Sequence, residues 1–162
     1  MMGITWSVMM GRLEHLAPTG DWIKIKTVGR SFRGRTIPMV SIGKGKKKIL
    51  YVGAHHGAEG ITASVLMEYI KEVSSLILKG KRIGDVDTEL FLNTRRVDVI
   101  PMLNPDGVEI SVNGVEKNDV MYERLFRMNE GSDDFTVWQA NGRGVDLNHN
   151  YNDMFSEYKS ME

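Results

Sequence analysis

The sequence predicts an α/β fold, and three observations carry this prediction. A run of β-branched and aromatic residues at positions 49–52 is typical of a buried strand. Over residues 61–78 apolar side chains recur every three or four positions, which indicates one face of a helix. A second buried strand is predicted at residues 97–103. A strand, a helix and a strand in this order favour a parallel pair joined by a right-handed crossover.

The remaining elements follow from local signals along the chain. An amphipathic first helix is predicted to end near Pro18. Two hairpin-like strands follow at residues 22–28 and 37–42, joined by GRSFRGR. The basic stretch GKGKKK is interpreted as a solvated hairpin turn into the strand at 49–52. Asn113-Gly114 indicates a small hairpin, and NDVMYERLFRMNEG a short helix.

Composition and charge exclude several classes of protein. The 162 residues are 41% hydrophobic and 26% charged, which is an ordinary globular composition, so neither disorder nor a membrane-spanning chain is expected. Cysteine is absent, which excludes disulfides and thiolate ligands. No basic leader is present, so a cytoplasmic location is the expectation. Residues 1–50 carry ten Lys/Arg and two Asp/Glu, but without interleaved aromatic side chains nucleic-acid binding is not expected.

The segment HHGAEG, residues 55–60, places two histidines and a glutamate at the predicted turn between strand and helix. In open α/β sheets this carboxyl edge is where ligands bind. His56 and Glu59 are three residues apart, so one turn aims an imidazole and a carboxylate at one point, as in a tetrahedral zinc site. His55 is the alternative ligand, but neighbouring side chains at a strand end alternate, and we favour His56. A hydrogen-bonded pair or helix cap without metal is the other interpretation.

Two further loops are rich in polar side chains. PMLNPDGVE follows the second buried strand, and a turn at the same sheet edge is predicted to contain Asn104, Pro105, Asp106 and Gly107. NGRGVDLNHNYND, residues 141–153, contains within five positions Asp146, Asn148, His149 and Asn150. This density of hydrogen-bonding groups exceeds what a turn requires.

A calcium loop is a competing interpretation of this last segment. The ligand positions of such a loop fall on Asp146, Asn148, Asn150, Asn152 and Glu157. However, Tyr151 occupies the position where the sharp bend requires glycine, so the match is interpreted as a coincidence.

Four motifs, GRSFRGRTIP, HHGAEGITAS, PMLNPDGVE and GVDLNHNY, together resemble the zinc carboxypeptidase family. More narrowly, they resemble its bacterial branch that cleaves γ-D-glutamyl-diamino acid bonds in cell-wall peptides. The resemblance runs from Thr5 to Tyr158. It implies a three-layer αβα fold with a mixed, mostly parallel sheet, incomplete relative to the family domain, of which residues 1–162 form the N-terminal part. It also implies zinc as cofactor, with His56 and Glu59 as the first two ligands.

The resemblance further implies substrate-binding residues. Asn148 and His149 stand where the family commonly has an Asn-Arg pair that holds the terminal carboxylate of the substrate. Arginine grips a carboxylate with two hydrogen bonds, whereas histidine makes one and titrates near neutrality. The family also has an arginine that stabilises the oxyanion developing in the reaction, and this position corresponds to Gln139 in this sequence. Arg143 is the nearest cationic side chain.

In the family a third zinc ligand, a histidine, and the general-base glutamate follow in a part of the domain beyond these motifs. Two protein ligands hold zinc weakly, and Glu59 cannot serve as both ligand and base. We therefore expect a truncated zinc metallopeptidase of peptidoglycan γ-D-glutamyl-diaminopimelate bonds, with little activity alone. The alternative is a non-catalytic peptide- or metal-binding module with the same fold. Self-association through an exposed sheet edge is also expected.

Overall fold

The computed structural model describes residues 4–16 and 20–151, which form five α-helices and four strands. The first part of the chain contains α1 (Trp6–Leu16), β1 (Ile23–Arg30), β2 (Thr36–Ile42) and β3 (Lys47–Val52). A single 3-10 turn (Gly57–Glu59) leads into the long helix α2 (Gly60–Leu78). The elements that follow are α3 (Thr88–Thr94), β4 (Arg95–Ile100), α4 (Pro105–Asn113) and α5 (Tyr122–Met128). Pro18, the predicted end of the first helix, lies outside the described residues.

The four strands form one mixed sheet in the order β1-β2-β4-β3. The predicted α/β class and mixed sheet are confirmed, and so is the parallel pairing of β3 with β4 after the intervening helix. The predicted burial of the strand at 49–52 is wrong, because β3 lies at the edge of the sheet with most of its side chains exposed. The prediction of mostly parallel pairing is wrong for the described strands, because β1–β2 and β2–β4 are both antiparallel. A short loop joins β1 to β2, which requires an antiparallel pair, and β4 then enters between β2 and β3.

The main apolar core covers one side of this sheet. Alternate residues of the two central strands are buried there: Val40, Ile42, Val97 and Val99. Helix α1 contributes Met9 and Leu13 to the same cluster, and α2 contributes Ala63, Met67, Ile70 and Val73. The buried residues of α2 are spaced three and four apart, which confirms the predicted helix. Its predicted apolar face is partly wrong, because Ile61 and Val65 are exposed. Within residues 4–16 and 20–151, no helix is both long and apolar enough to cross a bilayer.

The basic stretch between β2 and β3 is a crossing connection, and the predicted hairpin turn is wrong. The two strands are not neighbours, because β4 lies between them. The connection crosses the start of β4, where the Lys44 amide donates to the Leu92 carbonyl at 2.8 Å and the Gly45 amide to Arg95 at 3.0 Å. A side chain at position 45 would overlap the Thr94 backbone, so this approach requires glycine.

Residues 105–113 form a helix where a turn and a small hairpin were predicted. Asn104 is its N-cap, and its Oδ1 accepts from the Gly107 amide at 2.9 Å. Pro105 occupies the first turn, where its missing amide hydrogen is tolerated. Gly114, at φ 72°, follows the last helical residue. The Asn113-Gly114 pair is therefore a helix C-terminus and not a hairpin turn.

Candidate metal centre at the carboxyl edge of the sheet

His56 and Glu59 lie together where β3 leads into α2. The Nδ1 atom of His56 is 3.0 Å from Oε1 of Glu59. Donor atoms about 2.0–2.2 Å from a tetrahedral zinc ion lie about 3.4 Å from each other, so a slight spreading of the two side chains admits an ion. The side chains are 20% and 48% exposed, which leaves the pair accessible from solvent. Both the donor types and their convergence fit zinc.

Asp146 faces the opposite edge of the same imidazole ring. Its Oδ1 lies 3.4 Å from Nε2 of His56 and also accepts from the Asn148 amide at 2.8 Å. A carboxylate beside the second ring nitrogen of a metal-binding histidine fixes the ring orientation and the tautomer. Nδ1, beside Glu59, is therefore the nitrogen of His56 that would face a metal ion held by the pair.

The two carboxylates also shift the titration of this histidine. The hydrogen bond with Glu59 raises the pKa of His56, burial opposes the shift, and the charges of Glu59 and Asp146 raise the pKa further. One imidazole is thus flanked by two acidic side chains. This is a local charge distribution that favours a cation.

The two adjacent histidines have different partners. Ala54, which precedes them, is buried and has φ 47°, a conformation that residues with a Cβ rarely adopt. Beyond this bend, Nε2 of His55 lies 3.1 Å from the hydroxyl of Tyr151, whereas His56 contacts Glu59 and Asp146. The local backbone therefore presents His56 to the acidic pair and His55 to the side of the site.

The four predicted substrate-binding residues surround this centre in different ways. Asn148 and His149 are exposed on the Asp146 loop, and Nδ1 of His149 lies 3.7 Å from Oδ2 of Asp146. The backbone carbonyl of Gln139 accepts from the Gly57 amide at 3.0 Å, which places this residue beside the histidine turn. Arg143 lies further out, with its guanidinium stacked 5.5 Å from the Phe32 ring centroid.

A cavity of about 340 Å³ opens beside these loops. Its volume is within the usual range for small-molecule sites. The β1–β2 loop, the start of α4 and the residue 147–151 segment form its walls, with Arg30, Ser31, Phe32, Leu147, Asn150 and Tyr151 among the lining side chains. The hydroxyl of Tyr151 connects this cavity to His55. The cavity therefore adjoins the histidine turn through the contact between Tyr151 and His55.

Asp146 contacts the candidate pair, although the sequence alone did not assign it there. It stands ninety residues from His56, so no local spacing links the two. The available signal was a carboxylate in the polar segment at residues 141–153. Of the competing calcium loop, Asn152 and Glu157 lie outside the described residues, and the Asp146 carboxylate faces His56.

His56 and Glu59 thus form a pair of potential metal-binding side chains, with the Asp146 carboxylate at the second ring nitrogen. Among residues 4–16 and 20–151, no group of three or more potential metal-binding side chains is arranged around one point. Catalytic zinc sites use three protein ligands, so the His56–Glu59 pair in the described part of the chain would be an incomplete set.

Comparison with known proteins shows a close relationship to peptidases. The γ-D-glutamyl-L-diamino acid endopeptidase 1 of Lysinibacillus sphaericus is 30% identical over 146 residues, an alignment that covers 90% of this chain and 37% of that enzyme. Carboxypeptidase Z of Gallus gallus is 26% identical over 153 residues, which cover 90% of this chain and 20% of the relative. This chain therefore spans less than two fifths of the length of either relative.

The fold and a family model give the same result. The crystal structure of a metallo-carboxypeptidase from Burkholderia cenocepacia superposes with a TM-score of 0.55 at 15% identity, over 88% of this chain and 31% of that structure. The family model described as zinc carboxypeptidase matches residues 10–162. The resemblance seen in the four sequence motifs is confirmed, and the chain belongs to the zinc carboxypeptidase family.

Proposed function

We propose that this chain provides part of the active site of a zinc peptidase that hydrolyses γ-D-glutamyl-diaminopimelate bonds in peptidoglycan peptides. The observation that supports it most is the convergence of His56 Nδ1 and Glu59 Oε1, 3.0 Å apart, with Asp146 at the other nitrogen of the ring. His56 and Glu59 bind zinc in this proposal. Asp146 holds the His56 ring with Nδ1 toward the ion.

In this proposal one set of residues binds the metal and another binds the substrate. When bound, zinc supplies a Lewis acid that activates water and polarises the scissile carbonyl. Asn148 and His149, exposed beside Asp146, are placed to hydrogen-bond a carboxylate of the substrate. The amide of Asn148 provides donors at any pH, whereas His149 adds a positive charge only when protonated.

The substrate class is proposed from the relative named γ-D-glutamyl-L-diamino acid endopeptidase 1 and from the four shared motifs. The replacement of the family's Asn-Arg pair by Asn148-His149 supports this choice. A peptide that does not present an ordinary C-terminal carboxylate has less need of a bidentate arginine. Gln139 and Arg143 are the further candidates for contacts with the peptide.

Turnover requires more than these residues supply. Glu59 is engaged with Nδ1 of His56, so the carboxylate that accepts the proton of water must be a different one. We expect residues 1–162 alone to bind zinc with micromolar or weaker affinity and to hydrolyse little. The same engagement of Glu59 and Asp146 with His56 favours a second candidate function, a module that binds metal or peptide without cleaving it.

Zinc affinity measured by chelator competition tests the metal ligands. The variants are His56→Ala and Glu59→Gln, and the matched control is His15→Ala, an exposed histidine on α1. Either ligand variant is expected to weaken binding by more than about tenfold, because each removes one of two donors. Unchanged affinity in His56→Ala, or an equal loss in His15→Ala, contradicts the assignment.

Peptide binding and cleavage, followed by calorimetry and mass spectrometry, test the substrate class. The probe is a γ-D-glutamyl-diaminopimelate peptide, and the control is its α-glutamyl isomer. Selective binding of the γ-linked peptide supports the proposed substrate under either candidate function, and its cleavage favours the peptidase. Equal binding of the two isomers, or of neither, contradicts the proposed substrate.

A further inference from the structure

Asn104 lies where three backbone segments meet next to the metal pair. Asn104 is buried, with 1% of its surface exposed. Nδ2 donates to the carbonyl oxygens of His55 at 3.0 Å, Ala140 at 3.2 Å and Gln139 at 3.4 Å. Oδ1 accepts from the Gly107 amide at 2.9 Å. One amide group therefore joins the histidine turn, the segment that leads to Asp146 and the first turn of α4.

The three segments approach so closely that only glycine fits at two of the contacts. The Gly57 and Ala58 amides donate to Gln139 and Trp138 at 3.0 and 2.8 Å. A Cβ on Gly57 would overlap the Gly107 carbonyl, and a Cβ on Gly107 would lie 2.5 Å from the Ala140 carbonyl oxygen. The backbones are thus in direct contact, and Asn104 is a side chain that bridges all three.

This junction lies close in sequence to both His56 and Asp146. The carbonyl of His55 is joined directly to the His56 backbone, and Ala140 precedes Asp146 by six residues in a loop of short turns. The 3.4 Å contact between His56 Nε2 and Asp146 Oδ1 depends on the relative position of these two segments. Metal sites tolerate displacements of about 0.5 Å in such supporting contacts, and hydrogen bonds weaken steeply beyond their normal range.

We propose that Asn104 is a positioning residue of the metal centre, which fixes His56 relative to Asp146. The inference rests on the proposed zinc function, in which His56 is a ligand. Asn104 does not touch the metal position. It acts through the backbone of the histidine turn and of the segment that leads to Asp146. Its loss is therefore expected to change the orientation of the His56 ring while the same side chains remain available as ligands.

Asn104→Asp is the decisive variant, because it replaces the Nδ2 donor by an oxygen and keeps the acceptor for the Gly107 amide. The matched control is Asn129→Asp. The Nδ2 of Asn129 also donates to backbone carbonyls, Ser132 at 2.8 Å and Asp134 at 2.9 Å, but in the loop after α5. Asn104→Ser, which keeps a short donor and a helix cap, serves if the aspartate variant does not fold.

Three quantities are measured on each variant: circular dichroism to establish folding, the ¹⁵N shifts of the histidine rings without metal, and zinc affinity. In folded Asn104→Asp or Asn104→Ser we expect a changed His56 ring signal and about tenfold weaker zinc binding. Asn129→Asp is expected to leave both unchanged. An unaltered His56 signal in a folded Asn104 variant, or the same change in Asn129→Asp, overturns the inference.

The metal-free ring signal keeps this test separate from that of the proposed function. If the parent chain does not bind zinc, the proposed function fails. In that case a changed His56 signal in the Asn104 variant still supports the positioning of the ring, and an unchanged signal overturns it.

Discussion

Replacement of Asp106 by alanine is expected to lower the free energy of unfolding by about 3 kcal/mol. Asp106 is 1% exposed and ties the β1–β2 loop to α4. Its carboxylate accepts from the Ser31 hydroxyl at 2.8 Å, the Arg33 amide at 2.9 Å and the Arg35 guanidinium at 2.7 Å. Removal of one partner of a buried ion pair costs roughly 3–5 kcal/mol, and a hydrogen bond to a charged group contributes about 1.5–3 kcal/mol.

The lower end of this range is expected because the Arg35 side chain is 28% exposed and regains some water when the carboxylate is removed. Urea unfolding followed by circular dichroism measures the change. Asp106→Asn keeps an acceptor for the Arg33 amide and is expected to cost about half as much. Glu14→Ala, at an exposed position of α1, is the control, with an expected change within about 0.5 kcal/mol.

A loss below about 1 kcal/mol for Asp106→Ala, with an unchanged denaturant slope, refutes this reasoning. It would mean that the β1–β2 loop is held against α4 by contacts other than the buried carboxylate. The wall of the cavity beside the metal centre, which this loop forms, would then have a different origin.

Two further predictions concern acid stability and association. The hydrogen bond from Arg33 holds the pKa of Asp119 below its ordinary value of 3.8, against the effect of burial. This contribution to stability is present above that value and lost as pH falls through the folded pKa, so Arg33→Gln should flatten the decline in urea stability below about pH 4, and an unchanged decline contradicts it. Strand β3 lies at the sheet edge, where Ile49, Leu50 and Tyr51 are 44, 57 and 42% exposed, so the chain is expected to self-associate. Leu50→Lys should lower the weight-average mass measured by sedimentation equilibrium, and a monomeric parent chain contradicts this prediction.

Local sequence patterns predicted the strands and the long helix α2, but they missed α3, α4 and the order of the strands in the sheet. The apolar spacing in residues 61–78 predicted α2, because a helix is formed by contacts within four residues. The basic stretch before β3 gave no sign that β4 would lie between β2 and β3, because strand order depends on pairings distant in sequence. Helix α3 was not predicted, although Asp87 caps it by accepting from the Glu89 and Leu90 amides.

The same limit applies to the metal centre. His56 and Glu59 were found from the sequence because they are three residues apart on one turn. Asp146 and Asn104 were seen as polar loop residues, but their contacts with the histidine turn arise only when three distant segments fold together. Sequence spacing finds ligands on one element, whereas supporting residues come from other elements and need the fold.

The most direct test of the metal centre is ¹⁵N NMR of the histidine side chains during a zinc titration. The chain has four histidines, so each ring can be assigned with single substitutions. We expect zinc to bind His56 through Nδ1, while Nε2 keeps its proton toward Asp146. Coordination through Nε2 of His56, or a shift of His55 in place of His56, would contradict the proposed centre.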